Sequence, residues 1–209
     1  MKTNDLSLVI SAPSGAGKTT LIRGFLESDD TFAFSISTTT RPPRTGERDG
    51  ESYYFVDDDR FRAMIGEDRF VEWALVHGRY YGTTKKEIDR IRSAGKIPVF
   101  DVDVQGARSL KSGPRGGVYI FIVPPSRREL EARLRNRRSD SEEQIQIRLR
   151  NAITELSAYT EYDYIVVNDD IEKALSRLRS IVIAELCRTD RSRHMINGIL
   201  EENRDNSLE

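Results

Sequence analysis

Ala12-Pro13-Ser14-Gly15-Ala16-Gly17-Lys18-Thr19-Thr20 stands between an apolar run, Leu6 to Ile10, and an amphipathic stretch, Lys18 to Glu27. Strand, glycine-rich loop and helix in that order form the context in which a loop can cradle phosphate. Glycines at 15 and 17 let the backbone curl until successive N–H groups point inward, and the helix adds the positive end of its dipole. Lys18 can then bridge terminal phosphates. The Thr19 hydroxyl is an oxygen ligand of the kind magnesium takes. The usual pattern opens on glycine where this chain has Ala12, so the elements on either side carry the reading as much as the letters do.

Outward from the loop, further apolar runs rich in β-branched or aromatic residues occur at Ile97 to Val104, Val118 to Val123 and Tyr164 to Val167. They read as buried strands. Apolar spacing predicts helices over Lys85 to Ser93, Arg127 to Arg137, Glu142 to Tyr159 and Ile171 to Leu186. Capping boxes at Ser126 with Glu129, Ser141 with Gln144 and Thr84 with Glu87 mark three helix starts. Alternating strands and helices predict a doubly wound parallel α/β core whose ligands sit at the carboxyl ends of the strands. Two regions break the alternation: Thr38 to Gly82, aromatic and full of turn residues, and the arginine-crowded Arg127 to Arg150. Both read as insertions, which gives a core of 5–36, 95–125 and 151–186, a lobe at 37–94 and a helical lid at 126–150. Residues 187–209 read as a short helix followed by a polar tail.

The chain has 209 residues, 37% hydrophobic and 32% charged, enough for one globular domain with inserted lobes. A net charge of -1 argues against nucleic acid or an anionic membrane surface as the main partner. One cysteine, Cys187, permits no internal disulfide and no thiolate metal cluster. With no long apolar segment, these features lead to the expectation of a cytoplasmic protein.

Ser35-Ile36-Ser37-Thr38-Thr39-Thr40-Arg41-Pro42-Pro43-Arg44 sets two arginines around a stiff Pro-Pro pair, an arrangement suited to a phosphate monoester. This stretch resembles the GMP-binding segment of guanylate kinases. The likeness continues through Gly46-Glu47, Tyr53, Phe70-Val71-Glu72-Trp73, Gly78 to Thr83, Asp101 to Gly106 and Val167 to Asp170, covering about residues 5–186. It implies transfer of the γ-phosphoryl of ATP to GMP, and to dGMP, in purine nucleotide recycling, with magnesium as cofactor.

By the same resemblance, Arg41, Arg44, Tyr53 and Tyr81 would hold the GMP phosphate, while Ser37, Glu72, Thr83 and Asp103 would read the guanine. ATP would lie on Ala12, Pro13, Ser14, Gly15, Ala16, Gly17, Lys18, Thr19 and Thr20, with Arg137 on its phosphates and Asn168 near its adenine. Lys18, Arg41, Arg137 and Arg148 would stabilise the transferring group, and Thr19, with Asp101 through a water, would hold the metal. Arg138 stands where many members of the family have glycine. Guanine offers two adjacent donors, N1–H and the N2 amine, which a carboxylate such as Glu72 can accept and adenine cannot supply.

Two other classes of protein are compatible with parts of this pattern. One is a catalytically inactive guanylate-kinase-like module that binds protein partners, against which the intact Lys18, Gly15 and Gly17 speak. The other is a GTPase switch, since Asp103 to Gly106 imitates its D-x-x-G element, but no N-K-x-D motif follows. The polar segment from Arg188 leaves a homo-oligomer open.

Overall fold

The computed structural model describes residues 6–76, 78–113, 117–136 and 141–205. Strand β1 (Leu8–Ser11) leads through the glycine loop into α1 (Lys18–Ser28), and β2 (Phe32–Phe34) follows. The middle of the chain contains β3 (Thr38–Thr39), β4 (Tyr54–Phe55), α2 (Asp58–Gly66), β5 (Phe70–Val76), β6 (Arg79–Thr84) and α3 (Lys85–Ser93). Then come β7 (Ile97–Asp101), α4 (Val104–Ser112), β8 (Val118–Val123), α5 (Arg127–Arg135) and α6 (Glu142–Leu156), with a 3-10 turn at Ser157–Glu161. β9 (Tyr164–Val167), α7 (Ile171–Leu186) and α8 (Thr189–Asp205) complete the described chain.

Five strands make one parallel sheet in the order β2-β7-β1-β8-β9, as the alternation predicted. β1 is central and buried throughout because each face of the sheet is covered. Leu8 and Ile10 point to one side, where Leu21 and Phe25 of α1 and Leu175 and Leu178 of α7 pack on them. Val9 points to the other, against Ile88 of α3 and Ala107 and Leu110 of α4. Strand order reverses direction at β1, and the crevice outside its carboxyl end is where such sheets bind ligands. The glycine loop occupies that crevice.

Residues from 38 to 84 form a second, four-stranded mixed sheet in the order β4-β3-β6-β5. Phe61, Phe70 and Tyr80 stack at its centre, with ring centroids 4.4 and 5.1 Å from Phe61.

Several expectations about elements need correction. The run Ile97 to Val104 is strand only to Asp101; Val104 already begins α4, because the Asp103 carboxylate accepts the Gly106 N–H at 2.8 Å and caps a helix. β9 is an edge strand in which Ile165 is exposed and only Val166 fully buried. Helix Glu142 to Tyr159 tightens into 3-10 geometry after Leu156. The tail helix extends to Asp205. The three predicted caps are present, each hydroxyl accepting an N–H three residues on, but only Ser141 with Gln144 closes the reciprocal box.

Candidate active site

The loop after β1 folds back tightly, the Ala16 N–H donating to Pro13 O at 3.1 Å. Gly17 has φ 90°, and a Cβ there would lie 2.4 Å from the Asn168 side-chain nitrogen, so both backbone and space require glycine. The Ala16 carbonyl accepts from the Asn168 amide at 2.7 Å and from Arg133 at 3.3 Å, and Arg133 also donates to Asn168 O at 2.9 Å. Asn168 is buried, so its first visible task is to brace the loop. On the opposite side α6 reaches Ser14: its hydroxyl accepts from Arg148 at 3.1 Å, and its N–H donates to Glu155 at 3.2 Å. Arg148 therefore meets the loop; Arg137 lies outside the described residues, as does Arg138.

The Lys18 ammonium donates to Val102 O at 2.7 Å and pairs with Asp101 at 2.5 Å. Thr19, at the start of α1, and Asp101, at the end of β7, line one depression on the outer side of that helix. A hydroxyl and a carboxylate are hard oxygen donors, a set that suits magnesium keeping most of its own water.

On the other side of Lys18 opens a cavity of about 190 Å³ lined by Ser37, Tyr53, Glu72, Tyr81, Asp101 and Asp103. Glu72 sits in β5, where alternation buries Glu72 and Ala74 and exposes Trp73 and Leu75, while a register shift just before Glu72 turns Phe70 to the other face, against Tyr80. A carboxylate at an inward position is costly without a partner, which makes it a site candidate. Burial pushes Glu72 up to about 7, and the neighbouring Asp103 adds to the shift while Thr83 opposes it. Thr83 lies directly opposite Glu72 across the β5–β6 pairing, with its hydroxyl buried beside the carboxylate. Asp103 spends one oxygen on the α4 cap.

Arg41 and Arg44 do not line this cavity. The Arg41 guanidinium pairs with Glu47 at 2.7 Å, donates to Pro42 O at 2.6 Å and lies 5.2 Å from the centroid of the Tyr53 ring. Glu47 also accepts the Arg44 N–H at 2.7 Å, so one carboxylate gathers the turn that carries both arginines. The bond to Arg41 holds the Glu47 carboxyl below its usual range. Glu47, Arg133 and Glu155 were not singled out from the sequence. Glu47 stands in the quoted Gly46-Glu47, but nothing local marks the other two, whose contacts cross more than a hundred positions.

A central strand, a glycine loop with its lysine and a parallel sheet wound about them define a phosphate-loop α/β protein. The family model for guanylate kinase matches residues 4–185. The guanylate kinase of Caldanaerobacter subterraneus subsp. tengcongensis is 44% identical over 202 residues, covering 97% of this chain and 98% of that one. The guanylate kinase of Geobacter sulfurreducens is 48% identical over 191 residues, covering 91% and 94%. A crystal structure of guanylate kinase from Anaplasma phagocytophilum superposes with a TM-score of 0.72 at 34% identity, covering 89% of this chain and 88% of that one. The chain belongs to the guanylate kinase family. Among its described residues no helix is long and apolar enough to cross a membrane.

Proposed function

We propose that the protein transfers the γ-phosphoryl group of ATP to GMP, giving ADP and GDP, and that it accepts dGMP as well. The observation that carries this reading is the shared cavity, in which Lys18 of the phosphate loop faces the buried Glu72 carboxylate with Tyr53 and Tyr81 beside it. Ionised Glu72 accepts N1–H and N2–H of guanine, and Ser37, Thr83 and Asp103 complete the edge. Adenine presents no such donor pair and would leave the carboxylate buried without a partner, which is strong discrimination. Tyr53, Tyr81, Arg41 and Arg44 take the GMP phosphate once Arg41 exchanges Glu47 for the ligand. An oxygen of that phosphate then forms a bond to the γ-phosphorus as the bond to the β,γ-bridging oxygen breaks and ADP leaves. Lys18, Arg148 and Arg137 neutralise the charge spread over the moving group, the main demand of this chemistry. Thr19 and Asp101 would hold magnesium, which supplies further neutralisation of the phosphates when bound. Closure of the small sheet, residues 38–84, and of segment 126–150 over the core excludes water and spares ATP from hydrolysis.

An ADP-release assay with ATP, magnesium and GMP, dGMP, AMP, CMP or UMP tests the reading. Turnover confined to the guanine nucleotides, lost in Lys18→Ala and reduced in Glu72→Ala, is expected. GMP binding without turnover would instead favour a non-catalytic module.

A further inference from the structure

One buried charge near the GMP side takes no part in the chemistry above. Glu87, in the first turn of α3, is 2% exposed, yet its carboxylate accepts four hydrogen bonds. Two come from Arg90, at 2.9 and 2.7 Å, one turn along the same helix. The other two come from distant segments: the Ile36 N–H at 3.0 Å and the Tyr54 hydroxyl at 3.2 Å. Burial alone would push this carboxyl up, but the bonds from Arg90, Ile36 and Tyr54 together hold it below its usual range.

The two distant donors are each the chain neighbour of a residue lining the GMP cavity: Ile36 precedes Ser37 and Tyr54 follows Tyr53. They are also tied to one another, since the Tyr54 N–H donates to Ser37 O at 2.9 Å. Ile36 occupies the crossing between the sheets. Just before it, the Ser35 N–H donates to Val99 O of the large sheet at 3.0 Å; just after it, Thr38 enters the small one. The helix that carries Glu87 is itself anchored to the large sheet, with Ile88 packed against Val9 and Phe100. A fixed acceptor on the core therefore grips the first connection to the small sheet at a single backbone N–H, and grips the neighbour of Tyr53 as well.

From this geometry we infer that Glu87 is a positioning residue for GMP, setting Ser37 and Tyr53 in the cavity through Ile36 and Tyr54. The inference rests on the GMP reading of that cavity. Glu87 touches neither the phosphate loop nor the residues that brace it, so its influence is confined to one substrate. A buried ion pair that served stability alone would act differently: its loss would lower the melting temperature and leave the ratio of the two KM values unchanged.

Steady-state kinetics of Glu87→Gln, with each substrate varied in turn, separates the two roles. Glutamine keeps the shape but loses the charge that Arg90 and the two donors share. Displacing Ser37 and Tyr53 by a fraction of an ångström should raise KM for GMP about tenfold while KM for ATP stays within about twofold. Tyr54→Phe deletes one bond only and should raise KM for GMP about threefold, again without an ATP effect. It carries the test alone should Glu87→Gln not fold. Thr84→Ala weakens the cap of the same helix without touching the Glu87 carboxylate, and should lower the melting temperature with both KM values unchanged. Equal rises in both KM values, or none in either, would overturn the positioning role. Failure of the wild-type protein to phosphorylate GMP would instead overturn the reading beneath it.

Discussion

The two sides of the cleft are built on different plans. The phosphate loop is a contiguous stretch whose binding groups are backbone N–H donors, so its shape depends on two left-handed glycines and on bracing from Asn168, Arg133, Arg148 and Glu155. The opposite wall draws Ser37, Tyr53, Glu72 and Tyr81 from the strands and turns of the small sheet and Asp103 from the cap of α4. A contiguous site tolerates side-chain changes except at its two glycines and its lysine. A dispersed site depends on register, and one slip between β5 and β6 would turn Glu72 outward and Trp73 inward.

That contrast puts the largest single loss at the loop. Lys18→Ala should cut kcat by about 10⁴-fold, since a preorganised cation on the moving phosphoryl is worth that much. Binding of GMP, measured by calorimetry, should change little. A comparable loss of GMP affinity would mean that the ammonium belongs to both sides equally.

Glu72→Gln is the counterpart on the dispersed side and should lower kcat/KM for GMP about 10³-fold by replacing one acceptor with a donor against guanine. Its pH behaviour sharpens the point. Because the folded carboxyl titrates near 7, GMP binding should weaken as pH falls below about 7, when Glu72 takes up a proton; KM for ATP should not follow. Stability of the unliganded protein runs the other way. Between the ordinary value of 4.5 and about 7 the folded protein holds a proton that the unfolded chain has lost. The stabilisation is fully present below that window and is lost as pH rises through it, by up to roughly 3 kcal/mol. Glu72→Gln removes this dependence, so the variant should be the more stable protein at pH 8 and no more stable at pH 4. Denaturant titrations at the two values check the sign.

Asn168→Ala reports on the bracing of the loop. It deletes the buried bond to Ala16 O and should cost about 1–3 kcal/mol of stability while raising KM for ATP and sparing KM for GMP. A rise in KM for GMP of the same size would show that the loop transmits strain to the other wall.

The same contrast explains what could be read from the chain. The loop was legible because its determinants are local: spacing, glycines and a lysine between a strand and a helix. Strands β1 and β8 and the starts of α3, α5 and α6 were legible for similar reasons, through apolar runs and hydroxyl caps. The short strands β2, β3 and β4 were not, since two or three residues show no period; nor was α4, whose capping Asp103 lies inside an apolar run. Glu72 was reached only by resemblance, because a lone acid beside a tryptophan has no local signature until β5 and β6 pair. Glu155, Arg133 and Glu87 make their decisive contacts across long separations in sequence, and periodicity carries no trace of them.

The smallest effects should fall on the caps, and they test whether site and scaffold separate on each side. Ser126 accepts the Glu129 N–H at 3.1 Å at the start of α5, the helix that braces the phosphate loop. Thr84 accepts the Glu87 N–H at 3.2 Å at the start of α3, the helix that grips the connection to the small sheet. Alanine at either position should cost about 1 kcal/mol by leaving a first-turn N–H to water. Neither should alter KM for its own substrate, because each helix is held by buried residues beyond the first turn, Leu130 and Leu134 in one and Ile88 and Ile91 in the other. A KM shift confined to ATP in Ser126→Ala, or to GMP in Thr84→Ala, would mean that fraying of the first turn reaches the binding groups. The braces would then be as much a part of each site as the residues that touch the nucleotide.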